Sequence, residues 1–202
     1  MSLDVFMDDG VSMPEARAWR QRLWLRWGRY LATRHAGVSL DATCRVHPSA
    51  RIHPRGGRLE IGARSTVAAG AVVQGQVRIG ADSSVQTGSI LVAYGEQGAI
   101  SIGDGVRIAP QVMLIAANHI FASVDIPIHR QGLEPAPITI EDDVWLAGKV
   151  MVTAGVRIGR GCVVGAGAVV TKDLPPWSVA IGVPARVVRS RRPSDAPEDQ
   201  GA

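Results

Sequence analysis

Aliphatic residues recur at every sixth position over long stretches of this chain, and that interval admits few folds. One run reads Ile61, Val67, Val73, Ile79 and Val85, a second Ile102, Ile108, Leu114 and Ile120. A third reads Ile140, Leu146, Val152, Ile158, Val164 and Val170. An amphipathic helix repeats about every 3.6 residues and a half-buried strand every second residue, so neither calls for this spacing. A parallel β-helix does, because short flat segments joined by tight bends wind around one apolar axis. The slot two residues before the anchor is small or β-branched in most units, as at Ser65, Ala71, Ser83, Val106, Val112, Val144, Val150, Val156 and Ala168. Gly62, Gly80, Gly103, Gly159 and Gly165 follow anchors, where a bend leaves little room for a Cβ.

The length of 202 residues suits a single domain with a sizeable core. Aromatic residues make up only 4%, which fits a narrow axis filled by Val, Ile and Ala. The formal charge is +4, and all but Lys149 and Lys172 of the 22 basic residues are Arg. No nucleic-acid-binding motif accompanies that bias, so no nucleic-acid partner is expected. Cys44 and Cys162 both fall in the small inward slot, before Val46 and Val164, and read as buried filler. No Cys/His cluster suggests a metal site. The segment MSLDVFMDDG lacks the basic-then-apolar order of a signal peptide, and no apolar run is long enough to span a bilayer. A cytoplasmic protein is expected.

Residues 12–34 read as an amphipathic helix, with Ser12 as N-cap, Pro14 in the first turn and Gly37 closing the pattern. Trp19, Leu23, Trp27 and Leu31 form one stripe flanked by Trp24 and Tyr30, while Arg17, Arg20, Arg22, Arg26, Arg29 and Arg34 occupy the other faces. Such a stripe can close the open apolar end of a solenoid. It can also rest on an anionic membrane surface, making residues 12–34 a peripheral contact at the inner face. The expected division is an N-terminal arm over 1–11, the helix over 12–36, the β-helix over 37–189 and a disordered tail over 190–202. The beat is interrupted at Gly56–Gly57 and slips at 93–98. Between Ile120 and Ile140 the stretch 121–137 reads as a loop thrown out from the coil, beginning beside His119.

His119 precedes the expected anchor Ile120 and should point outward, where an imidazole can act as a general base. Trp145 occupies the same outward slot before Leu146. Gly148 and Ala166 lie 18 residues apart, one full turn, and should stack to leave a shallow track on the outside of the coil. Thr171 and Lys172 are expected at the end of that track, with Arg186 and Arg189 beyond the 182–185 bend. A narrow groove leading to cations suits a long ligand carrying phosphates at one end.

The segments NH at 118–119, ITIEDDVWLAGKVMVTAGVRIG at 138–159, VVGAGAVVTKDLPP at 163–176 and AIGVPARVVR at 180–189 resemble the hexapeptide-repeat acyltransferases. The likeness is to their galactoside, maltose and polysaccharide O-acetyltransferase branch. Residues 46–117 share only the repeat, and residues 1–45 little that is distinctive. The resemblance implies an all-β, left-handed parallel β-helix, a homotrimer with sites between neighbouring coils, and acetyl-CoA as donor. It implies His119 as base, Trp145, Gly148 and Ala166 along the acetyl and pantetheine path, and Thr171, Lys172, Arg186 and Arg189 near the nucleotide. Asn118 is the candidate acceptor contact. The acceptor-binding Asn of the galactoside and maltose enzymes has no counterpart in 84–98, and the form of the loop is closer to enzymes that decorate cell-surface polysaccharides. O-acetylation of a sugar or polysaccharide precursor is therefore expected. N-acetylation of an amino sugar or xenobiotic amine, and a non-catalytic scaffold, are the alternatives.

Overall fold

Each six-residue unit forms one short strand and one corner, and three units complete a triangular turn of a parallel β-solenoid of about 6 turns. This computed structural model describes residues 19–192. Sheet A runs from Val38–Leu40 to Arg157–Ile158, and sheet C from Arg51–His53 to Val169–Val170. Sheet B begins at Arg45–Val46 and ends in an antiparallel hairpin, Ser178–Ile181 with Arg186–Ser190. Neighbouring turns stay in strict register, Ile61 on Ile79, Val67 on Val85 and Val73 on Leu91. The first strand of the coil is Val38–Leu40.

The anchors fill the axis. Every one named in the three runs is buried except Ile120, which is 38% exposed. Burying each of these side chains contributes about 1.5–3 kcal/mol. The serines of the small slot are satisfied from turn to turn. Ser65 Oγ donates to Gly80 O at 2.6 Å and accepts from Ser83 N at 2.9 Å, and Ser83 Oγ donates to Gly103 O at 2.8 Å. Polar groups so paired can line an apolar axis without leaving an orphaned donor. At the edge between sheets A and B the glycines are required by space. A Cβ on Gly80 would stand 2.2 Å from Asp104 Oδ1 and 2.6 Å from Gly103 O.

The helix α1 spans Trp19–Thr33; the predicted residues 12–18 lie outside the described residues. It crosses the first turn and touches a strand of each of the three sheets, closing the open end. The docking face differs from the expected one. Gly28 and Ala32 are buried against the coil, whereas Trp19, Leu23, Trp27 and Tyr30 face away from it. Close approach decides this: a Cβ on Gly28 would lie 2.0 Å from Val46 O, so only a glycine lets the helix backbone reach the strand. Arg29 reaches under the helix to the carbonyls of Asp41 and Cys44.

The tail expected from residue 190 does not begin there. Arg191 N donates to Trp177 O at 2.7 Å and its guanidinium to Gly161 O at 2.6 Å, so 190–192 are bound to the last turn. The arm expected over 1–11 and the tail from 193 onward lie outside the described residues.

Candidate active site

Before the closing hairpin, the departures from the regular turn all occur at one edge of the prism, between sheets C and A. The slip at 93–98 is a tight bump there, closed by the pairing of Tyr94 with Gly98. The large excursion leaves the same edge one turn later. Ala116 is buried, donates to Val92 O and accepts from Ala136 N, both at 3.0 Å, which pinches the base of an arm over 117–135. Ala117–His119 then pairs antiparallel with Leu133–Pro135, setting Asn118 opposite Glu134 and His119 opposite Leu133. The tip carries a short helix α2, Ile128–Gln131. Gln131 staples it, its Nε2 donating to Ser123 O at 2.9 Å and its Oε1 accepting from Ser123 N at 3.1 Å.

This corrects the expected boundary. The loop starts at Ala117 rather than beyond Ile120, and Ile120 belongs to the arm instead of the axis. His119 is exposed as expected, and Asn118 with it, but because a hairpin carries them off the coil and not because an anchor follows.

Trp145 stands on the outer surface of sheet B, half exposed, between Arg107 and Val163 on the neighbouring turns. Beside it lies a cleft of about 350 Å³ lined by Ser84, Gln86, Arg107 and Pro110. Ser84 Oγ is buried and has no hydrogen-bond partner, the only such side-chain atom among the described residues. Reading the sequence alone missed this cleft. The separation of 38 positions from Arg107 to Trp145 hides their contact, which appears once the arm is subtracted from the spacing.

Gly148 and Ala166 stack at the next edge, between sheets B and C, where Gly167 N donates to Gly148 O at 2.9 Å. A Cβ on Gly148 would meet only Pro110 O, at 3.7 Å, so the surface there is open. Ala166 is exposed too, and the two leave a shallow strip along the edge.

Thr171 and Lys172 do not continue this strip. They follow the last strand of sheet C and so sit at the C/A edge, with Thr171 in line with Thr153 and Ile115. Within one chain, His119, Thr171 and Lys172 therefore share one edge, while Gly148 and Ala166 share another, with Trp145 on the adjoining sheet B. The two sets are level along the axis. The arm leaves between the fourth and fifth turns and Trp145 lies in the fifth; Ala166 and Thr171 both belong to the sixth. Arg186 and Arg189 lie on the outermost strand of sheet B, Arg189 beyond Val179 in the column that contains Trp145 and Arg186 beside Ile181. Both are exposed.

Neither cysteine is available for chemistry. Burial pushes the Cys44 thiol up to about 11. It also raises Cys162, whose Sγ lies 3.0 Å from Pro175 O. Among the described residues, no three His, Cys, Asp or Glu side chains cluster as metal ligands.

A family model described as bacterial transferase hexapeptide (six repeats) matches residues 137–172. The galactoside O-acetyltransferase of Escherichia coli is 43% identical over 95 residues, covering 45% of this chain and 43% of that protein. A Mycobacterium tuberculosis protein that carries an acetyltransferase name is 34% identical over 134 residues, 66% of this chain and 43% of its own length. The chain spans less than half the length of these relatives. Among solved structures, a maltose O-acetyltransferase from Clostridium difficile is 25% identical with a TM-score of 0.52, covering 86% of this chain and 76% of that one. The AntD N-acyltransferase of Bacillus cereus, solved with dTDP and 3-hydroxybutyryl-CoA, is 20% identical with a TM-score of 0.65 and covers 87% and 89%. At that identity the likeness is one of fold alone.

Proposed function

We propose that this chain, which carries the hexapeptide repeat of bacterial transferases, moves an acetyl group from acetyl-CoA to a hydroxyl of a sugar or cell-surface polysaccharide precursor. The observation that carries the reading is the level placement of two residue sets on different edges of one prism. His119, Thr171 and Lys172 stand at the C/A edge, and Trp145, Gly148 and Ala166 stand on sheet B and the B/C edge at the same heights. Rotating copies about an axis parallel to the coil brings one edge of each against the other edge of its neighbour. A homotrimer therefore completes a groove that a single chain lacks.

In that groove pantetheine lies along the open strip at Gly148 and Ala166, where backbone is accessible and no side chain intrudes. Trp145 packs against the acyl end, and Thr171, Lys172, Arg186 and Arg189 meet the nucleotide phosphates. His119 of the facing copy takes the proton of the acceptor hydroxyl as its oxygen attacks the thioester carbon. The C–S bond breaks, and the imidazolium returns the proton to the departing CoA thiolate. Ser84 Oγ and Arg107 offer a polar wall beside Trp145, which suits a hydroxylated acceptor, and Asn118 adds a second contact from the arm. An acyl-enzyme on Cys162 is disfavoured by its burial and raised pKa. The reaction is placed in the cytoplasm, where the donor is made.

The test is turnover with acetyl-CoA and a panel of glycan acceptors, read as release of the CoA thiol. His119→Ala should lower kcat by about 10²–10⁴-fold while calorimetric binding of CoA persists. Unchanged turnover would remove His119 from this role. Failure of the unmodified protein to bind CoA would remove the transfer reading altogether. Greater activity on an amino analogue than on the hydroxyl acceptor would move the assignment to N-acetylation.

A further inference from the structure

The first helix uses one face on the coil and leaves another without a partner in the described chain. The coil side is small, with Gly28 and Ala32 buried and Arg29 bonded to the carbonyls of the first turn. The opposite side presents Trp19, Leu23, Trp27 and Tyr30, with Trp19 66% and Trp27 51% exposed. The Trp27 and Tyr30 rings stack at 5.3 Å, giving one flat aromatic surface. Arg20, Arg26 and Arg34 are exposed around it, and the segment from Trp19 to Arg34 contains no acidic residue. Aromatic and aliphatic side chains ringed by Arg, without compensating carboxylates, match the interface of a bilayer bearing anionic headgroups. A protein partner needs its own acidic, aromatic-lined groove, and nothing here selects one. No described helix is long and apolar enough to cross a membrane.

We propose that the outward face of α1 seats the protein on an anionic lipid surface, with Trp19, Leu23, Trp27 and Tyr30 entering the headgroup region and Arg20, Arg26 and Arg34 meeting lipid phosphates. This is independent of the acyl-transfer reading. The helix spans the open end of the first turn, so the solenoid stands away from the lipid. The fifth turn, with Trp145, lies roughly 20 Å further along the axis at the usual strand spacing. In a trimer with parallel coils, three such helices face the same way and reinforce one another.

Co-sedimentation of the full chain with vesicles tests this, comparing pure phosphatidylcholine with phosphatidylcholine containing phosphatidylglycerol. Binding to the anionic vesicles should exceed binding to the neutral ones by roughly 10-fold or more and weaken as salt is added. The variant Trp19→Ala/Leu23→Ala/Trp27→Ala should lose most of it. Arg20→Glu/Arg26→Glu/Arg34→Glu should lower it by on the order of 10²-fold. None of these side chains packs into the coil, so melting temperature and assembly size should not change. Equal binding to both vesicle types, or undiminished binding by either variant, overturns the proposal. So does a change of assembly size in the aromatic variant without vesicle binding by the parent protein, which would give the face to a second copy.

Discussion

Two glycines at corners of the coil carry opposite burdens. At Gly80 an added Cβ meets Asp104 Oδ1 at 2.2 Å and the Gly103 carbonyl at 2.6 Å; at Gly148 its nearest neighbour is Pro110 O at 3.7 Å. Neither has a left-handed φ, so the difference is space alone. Gly80→Ala should cost about 1–3 kcal/mol through forced shifts of the next turn. Gly148→Ala should stay within about 0.5 kcal/mol, as for an open surface site. Chemical denaturation of both variants checks the contrast. Cys44 supplies a second prediction. Its thiol is raised by burial from 9.0 to about 11, so the folded state holds the proton more tightly than the unfolded chain. The stability this gives is complete below the unfolded pKa and is lost as pH rises from about 9 through about 11. Melting temperature should fall across that window, and Cys44→Ala should flatten part of the fall. A variant that declines as steeply as the parent would argue against the assignment.

At the scale of elements, the arm over 117–135 is separable from the coil. Its base is closed by Ala136 N donating to Ala116 O at 3.0 Å, and the strands before and after it continue the sheets without it. Replacing 117–135 by a short Gly-containing turn should leave thermal unfolding of the coil nearly unchanged and abolish the proposed acyl transfer. Coupled loss of both would show the arm to be structural. The arm also marks where the sequence was legible. The anchors, the outward Trp145 and the stacking of Gly148 on Ala166 follow from counting in sixes, because one inward position recurs per unit. Ile120 kept the phase yet left the axis, since Ala116 fits the inward slot and lets the chain depart four residues earlier. The same count, carried one corner further, separates Thr171 from Ala166, although both read simply as outward positions. The docking face of α1 was not legible by hydrophobicity. Its aromatic stripe is the more apolar face, but backbone proximity at Gly28 decided which side meets the coil. Ser84 and Arg107 were hidden because the arm inflates their distance from Trp145.

For the whole molecule the deciding question is whether one chain or two build a site. His119 leaves the C/A edge, while the strip at Gly148 and Ala166 runs along the B/C edge at nearly the same height. If the groove forms between copies, two differently damaged chains can repair one another. His119→Ala lacks the proposed base but keeps the strip. Gly148→Trp keeps the base and fills the strip, at a position where a side chain has room and the fold should survive. Each variant alone should be nearly inactive. Mixed in equal amounts, dissociated and reassembled, they should recover roughly a quarter of the unmodified activity, because each site draws its two halves independently from the pool. A site contained within one chain predicts no recovery at any mixing ratio, and that result would sink the shared groove while leaving the solenoid intact.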